Sequence, residues 1–127
     1  VVDRRVPILL HGPVGAEILQ QEAGLTDISI YKAVYWHTTA NPDLDELGKV
    51  VFIADKLDPA KIDSYPYLPQ IRQMALQDLD RAILHFLTRQ AMDRLNRGEL
   101  VHPVMVETRN ALLAASGVPE NPAGAVE

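Results

Sequence analysis

The sequence contains no cysteine among its 127 residues. This absence excludes a disulfide framework, a thiolate zinc site and a thiol nucleophile, so any metal ion would bind to histidine, aspartate or glutamate. Long hydrophobic runs are also missing. The longest runs, such as residues 50–54, are far too short to cross a membrane. No signal-peptide pattern opens the chain. We therefore expect a cytoplasmic protein without membrane contacts.

An excess of positive charge is missing as well. The net charge is −5, and the twelve basic residues are scattered among acidic ones. A long nucleic-acid backbone is therefore not an expected partner, but the charge does not exclude a small anionic ligand. The length and the hydrophobic content of 47% are sufficient for one domain with its own core.

The apolar residues recur at helical spacing, and no segment alternates apolar and polar residues as a half-buried strand does. The sequence therefore predicts an all-α fold of about six helices, forming one domain over residues 1–116 with a disordered tail over 117–127. Residues 57–69 are predicted to form the one long ordered loop, because their three prolines break the helical pattern. The first expected helix is 13–22, the second is capped by Thr26 and ends near His37, and the third is capped by Asp43 and runs to Ala54. The fourth follows Pro69. The fifth is capped by Asp78 and ended by Gly98, and the sixth runs from Pro103 to Leu113.

Two histidines and one aspartate are placed where helical proteins often present ligands. His11 and His37 are predicted at helix ends, and Asp55 follows an apolar run in which an unpaired carboxylate would be costly to bury. A cation would compensate that charge. The alternatives are ordinary: a histidine at a helix end is more often simply hydrogen-bonded or exposed, and the aspartate can begin a loop. The spacings alone match no short metal motif.

A second group of residues is suited to contact an anion. Arg109 can form bidentate bonds with a phosphate, whereas Lys56 and Lys61 would act as flexible point charges. His102 precedes a proline and is expected either to cap the last helix or to reach an anion together with Arg109. Each of these side chains is equally consistent with solvated surface, and His85 is expected to be a core or partly exposed residue.

Five segments in order resemble one family, the YqeK-type HD-domain hydrolases. They are HGPVGA at 11–16, YWHTTANP at 35–42, VVFIADKLDP at 50–59, DLDRAI at 78–83 and HPVMVETRN at 102–110. The resemblance implies a helical HD fold with a pair of iron or other divalent ions, which hydrolyses diadenosine tetraphosphate symmetrically to two ADP. It implies that His11, His37 and Asp55 are metal ligands, and that the residues on the substrate side are Thr38, Thr39, Lys61, His102 and Arg109. Ala40 replaces the glycine of the usual HTTG motif.

The family's first histidine and its His-Asp pair have no counterpart, because no His-Asp dipeptide occurs in the chain. By resemblance, Asp55 would help hold one ion, and His11 with His37 the other. We therefore expect a fragment that lacks the N-terminal helices of the family and is inactive alone. The apolar surface so exposed would favour self-association, for example as a homodimer.

Two alternatives differ from this hypothesis. The first is a metal-free HD-like module that binds a nucleotide or a protein partner through the cleft around His102 and Arg109. The loss of the His and His-Asp motifs motivates it. The second is an HD phosphohydrolase that acts on another phosphate ester or anhydride, which a product assay would identify.

Overall fold

The computed structural model describes residues 2–117, and within this range the chain forms helices and turns without a strand. The all-α prediction is confirmed, with seven helices where about six were expected. Of the predicted tail, all but Gly117 lies outside the described residues, so the domain boundary stays a prediction. The helices are α1 (Val2–Arg5), α2 (His11–Glu22), α3 (Ile28–Tyr35), α4 (Glu46–Lys56), α5 (Leu68–Ala75), α6 (Leu79–Asn96) and α7 (Pro103–Ala115), with 3₁₀ turns at Pro7–Leu10 and Pro59–Lys61.

The helix starts are set by side-chain caps, two of which differ from the prediction. Asp27, rather than Thr26, caps α3, because its extended backbone lets the carboxylate accept from the amides of Ser29 and Ile30. Asp45, rather than Asp43, caps α4 by accepting from the Gly48 amide at 2.9 Å. In both cases the cap lies one or two residues later than expected.

The cap of α6 was predicted correctly, and of the two roles left open for His102 the structure shows the cap of α7. Asp78 accepts from the Arg81 amide at 3.0 Å at the start of α6. His102 accepts from the Val104 amide through Nδ1 at 3.1 Å, directly before Pro103 begins α7. Gly98 follows α6 with a left-handed backbone, φ +68, as a helix-ending glycine does.

The helix boundaries near His11 and His37 also differ from the prediction. α2 begins at His11 rather than at Pro13, because the 3₁₀ turn Pro7–Leu10 runs directly into it. α3 ends at Tyr35, so His37 lies two residues beyond the helix in the following turn. The predicted long loop is partly helical, since it contains a 3₁₀ turn and α5 begins at Leu68.

The core lies between α4, α5, α6 and α7. Phe52 of α4 and Phe86 of α6 are fully buried, and their rings meet edge to face with centroids 5.9 Å apart. Ile71 of α5 and Leu87 of α6 complete the fully buried centre. Because α2 packs on α3, and α3 on α4, the last turn of α4 comes close to His37. Within residues 2–117, no helix is both long and apolar enough to span a membrane.

Candidate functional site

The rings of His11 and His37 face each other although 26 residues separate them in the chain. The two Nε2 atoms are 2.8 Å apart, and the rings meet edge to face with centroids 4.6 Å apart. His11 is the first residue of α2, and His37 lies in the turn after α3, so the packing of these two helices brings the rings together.

The hydrogen bonds of the other ring nitrogens determine the protonation of this pair. Nδ1 of His11 lies 2.5 Å from the carbonyl oxygen of Ile8, and Nδ1 of His37 lies 2.6 Å from that of Val34. A carbonyl only accepts, so both Nδ1 atoms carry a proton, and in the neutral rings both Nε2 atoms present lone pairs. Two lone pairs at this distance repel each other unless a proton or a cation lies between them.

This geometry fits a metal ion. Two nitrogen ligands about 2.1 Å from one ion, at about 90° to each other, are about 3.0 Å apart, close to the observed separation of Nε2 atoms. Metal-binding histidines usually donate their other ring nitrogen to a carbonyl or carboxylate, as both rings do here. The hydroxyl of Thr38 lies 3.1 Å from Nε2 of His11 and 3.5 Å from Nε2 of His37, beside the same point.

Gly12 permits the close approach of α2 to the end of α3. A methyl group on Gly12 would lie 2.6 Å from the Tyr35 carbonyl oxygen, 3.1 Å from that of Val34 and 3.4 Å from Nδ1 of His37. The first of these contacts is too short for a side chain of any kind. The glycine of the HGP segment is therefore required for the two rings to meet.

Asp55 is engaged by two lysines rather than by the histidines. Its Oδ2 accepts from Lys56 Nζ at 3.0 Å, and its Oδ1 accepts from Lys61 Nζ at 3.1 Å. Lys61 also donates to the Asp55 backbone carbonyl at 2.8 Å. The cation expected to compensate this carboxylate is thus supplied by the chain itself.

The charges in this cluster shift the ionisation of its members. Burial acts to raise the pKa of Asp55, but the hydrogen bonds and charges of Lys56 and Lys61 outweigh it, so the pKa lies below its usual range. Burial lowers the pKa of Lys56, and the neighbouring carboxylate opposes this effect. Because the side chain of Asp55 is 37% exposed and that of Lys56 only 7%, the lysine carries the larger desolvation cost.

The expectation that Lys56 is a flexible point charge, or alternatively solvated surface, was wrong. Its ammonium group is buried, donates to the His37 carbonyl oxygen at 3.2 Å, and lies 4.9 Å from the centre of the Phe52 ring. A sequence signal for this burial exists, because Lys56 follows Phe52 and Ile53 by four and three residues, which places all three on one face of α4.

The other predicted substrate-side residues all form hydrogen bonds or ion pairs within the protein. The Thr39 hydroxyl is buried and donates to the Ala40 carbonyl at 3.2 Å. Arg109 donates through Nε to the Thr88 hydroxyl at 3.0 Å and joins α7 to α6. His102, besides capping α7, lies 3.2 Å from a carboxylate oxygen of Asp3 in α1. His85 is partly exposed, as expected.

The predicted ligands therefore form two groups. Thr38 joins His11 and His37, whereas Asp55 joins the two lysines, and Lys56 links the groups through the His37 backbone. In the part of the chain that the structure describes, no three histidine, aspartate or glutamate side chains gather closely enough to hold a metal ion. The two histidines fit a cation, and Asp55 in its present pairing does not join them.

Residues 2–60 match the sequence model of the HD domain. The chain is 32% identical over 110 residues to a Bacillus subtilis protein named bis(5'-nucleosyl)-tetraphosphatase, symmetrical, an alignment that covers 87% of this chain and 58% of that protein. A protein of the same name from Halalkalibacterium halodurans is also 32% identical, over 105 residues that cover 83% of this chain and 55% of that one.

A solved structure from Clostridium acetobutylicum, described as a predicted HD superfamily hydrolase involved in NAD metabolism, has the same fold. It superposes with a TM-score of 0.82 at 28% sequence identity, over 89% of this chain and 59% of that one. The chain thus spans less than two thirds of the length of each of these relatives.

Proposed function

Because this chain belongs to the HD-domain family, we propose that it forms part of a phosphohydrolase that cleaves diadenosine tetraphosphate symmetrically, giving two ADP. The observation that supports this function best is the 2.8 Å separation of the two Nε2 atoms, in rings whose Nδ1 atoms both lie against backbone carbonyls. The names of the two tetraphosphatase relatives support the choice of substrate.

His11 and His37 would hold a divalent cation through their Nε2 atoms, and iron is the ion that the family resemblance favours. When bound, such a cation supplies Lewis-acid neutralisation of the phosphate charge. The two Nδ1–H groups keep both rings in the orientation and tautomer that this role needs.

Thr38 and Lys61 are the substrate-side residues best placed for the role. The Thr38 hydroxyl lies beside the two Nε2 atoms, so it is placed to orient a phosphate oxygen there. The side chain of Lys61 is 36% exposed, and its ammonium can meet a phosphate from solvent. Thr39 donates to the Ala40 carbonyl, His102 caps α7, and Arg109 joins α7 to α6. We propose that these three residues support the site and do not contact the phosphate.

The proposal requires further ligands from outside residues 1–127. The chain has no His-Asp dipeptide, and Asp55 would give up the bond of its Oδ1 with Lys61 to join a second cation with those further ligands, while Lys56 stays on Oδ2. We therefore propose that residues 1–127 alone do not hydrolyse the substrate. A cytoplasmic location and a homodimer are part of the same proposal, and the exposed Val14 and Ile18 on α2 are consistent with self-association.

The test is a product assay on the longest reading frame that includes this sequence. We expect the purified protein to convert diadenosine tetraphosphate to ADP alone, and His37→Ala to lose at least about a hundredfold in kcat, since a ligand is removed. Formation of AMP and ATP would assign another cleavage position. No turnover with iron, manganese or cobalt would contradict the proposal.

A metal-free nucleotide-binding module is the second candidate, and one observation favours it. The Asp55 carboxylate is already neutralised by Lys56 and Lys61, so it needs no metal ion for stability. This function predicts that diadenosine tetraphosphate binds equally well with and without EDTA in calorimetric titrations. Binding that a chelator abolishes would exclude it.

A further inference from the structure

We propose that Lys56 is a positioning residue that fixes His37 for cation binding by joining its backbone to Asp55 at the end of α4. This inference rests on the proposed metal site, but it concerns a side chain outside the ligand set. The hydrogen bond of Lys56 to His37 is to the backbone carbonyl, so Lys56 acts through the peptide group of His37.

The ammonium of Lys56 is at a junction between two elements. The residue is only 6% exposed, and its Nζ donates to the His37 carbonyl oxygen at 3.2 Å and to Asp55 Oδ2 at 3.0 Å. These two bonds connect the turn after α3 to the last turn of α4. The His37 ring is in turn bonded to the Val34 carbonyl, so the backbone of this turn determines where Nε2 points.

The energetics favour a specific role over simple packing. A buried ammonium loses its hydration, and burial lowers the pKa of Lys56 for that reason. An apolar side chain of similar length, such as methionine, would fill the space beside Phe52 without this penalty. What lysine adds is a donor that reaches both a carboxylate on its own helix and a carbonyl on the neighbouring turn.

Lys61 provides a matched control within the same cluster. It donates to the other carboxylate oxygen of Asp55 at 3.1 Å and to the Asp55 carbonyl at 2.8 Å. Its bonds therefore end on Asp55 and do not include the His37 peptide. Lys56→Met and Lys61→Met each remove one ammonium from the same carboxylate, but only the first removes the link to His37.

The first measurement is the long-range ¹H–¹⁵N correlation spectrum of the imidazole rings in the metal-free 127-residue chain. We expect Lys56→Met to shift the ring nitrogens of His37, and Lys61→Met to leave them at their wild-type positions. Circular dichroism checks that each variant is folded, and Lys56→Gln, which keeps a polar but shorter side chain, replaces Lys56→Met if the latter does not fold. His37 resonances unchanged in Lys56→Met, or shifted equally in Lys61→Met, would overturn the proposal.

The second measurement is a Co²⁺ titration followed by visible absorption. We expect Lys56→Met to weaken Co²⁺ binding about tenfold relative to wild type, within the range typical for residues that orient metal ligands, and Lys61→Met to leave it nearly unchanged. Equal weakening in both variants would show that charge alone matters and would overturn the positioning role. If the wild-type chain binds no Co²⁺, the proposed metal site fails, and the imidazole spectra still decide whether Lys56 orients His37.

Discussion

Two imidazole nitrogens that both lack a proton cannot remain 2.8 Å apart without a positive charge between them. The carbonyls of Ile8 and Val34 hold the only proton of each neutral ring on Nδ1, so neither Nε2 can donate to the other. A proton shared between one charged and one neutral ring would remove the repulsion between the two Nε2 atoms, and so would a metal ion. The identical Nδ1 contacts on both rings orient both Nε2 atoms toward one point, which is the usual arrangement of histidines that bind a metal ion.

Asp55 should contribute to stability in a pH-dependent manner. Its folded pKa is lowered, so its contribution is complete above the ordinary value of 3.8 and is lost as the pH falls through the lower folded value. Asp55→Asn leaves Lys56 buried without its counter-charge. We expect the free energy of unfolding to fall by about 1 kcal/mol near pH 7, a modest figure because water screens the partly exposed carboxylate.

Urea unfolding of wild type and Asp55→Asn between about pH 6 and about pH 3 measures this effect. The difference between the two proteins should shrink toward the acid end of the range. The exposed Asp63 provides the control, since Asp63→Asn should match wild type at each pH. A deficit in Asp55→Asn that stays constant with pH would show that the ion pairs do not stabilise the fold.

At the residue scale, the sequence identifies the histidines but not their contacts. The HGP and HTT segments single out His11 and His37, yet their separation of 26 residues is bridged only by helix packing. Lys56 was missed because a lysine is rarely buried, and only its helical spacing from Phe52 and Ile53 indicates otherwise. The pairing of Asp55 with lysines depends on the fold of residues 57–61 and was not predictable.

The contact between α2 and the end of α3 depends on Gly12, and this dependence can be tested. A methyl group there would collide with the Tyr35 carbonyl oxygen at 2.6 Å, which neither backbone can easily avoid. We expect Gly12→Ala to lower the free energy of unfolding by about 1–3 kcal/mol and to separate the two rings.

Gly15, one turn further along α2, is the matched control. A methyl group on Gly15 meets only Val34 Cγ1 at 3.8 Å, an ordinary contact. Gly15→Ala should therefore stabilise the protein by roughly 0.5–1 kcal/mol, since alanine favours the helix. Thermal unfolding of both variants gives the comparison, and equal stabilities would refute the packing role of Gly12.

The elements themselves were largely predictable, and the errors have local causes. Asp27 and Asp45 cap their helices because their extended backbones bring the carboxylate to the first free amides, which Thr26 and Asp43 do not. Ala40 has a left-handed backbone, φ +65, a conformation that favours glycine, and it takes the place of the glycine in the HTTG motif that the resemblance implies. Its methyl group is buried, which offsets part of the strain.

At the scale of the whole molecule, helical periodicity was sufficient to predict the class of fold. The arrangement of the helices was not predictable from periodicity, because it depends on which apolar faces meet, and the match to the Clostridium acetobutylicum structure now supports it independently. The chain covers 58% of the Bacillus subtilis tetraphosphatase in length. The central claim for residues 2–117 is that His11 and His37 bind a cation between their rings.

The measurement that tests this claim most directly is anomalous diffraction from crystals of the chain grown with Co²⁺. The account predicts a peak about 2.1 Å from Nε2 of both His11 and His37. The same peak should be absent in crystals of His37→Ala. A structure in which the rings keep their 2.8 Å contact in excess Co²⁺, with no anomalous peak between them, would contradict it.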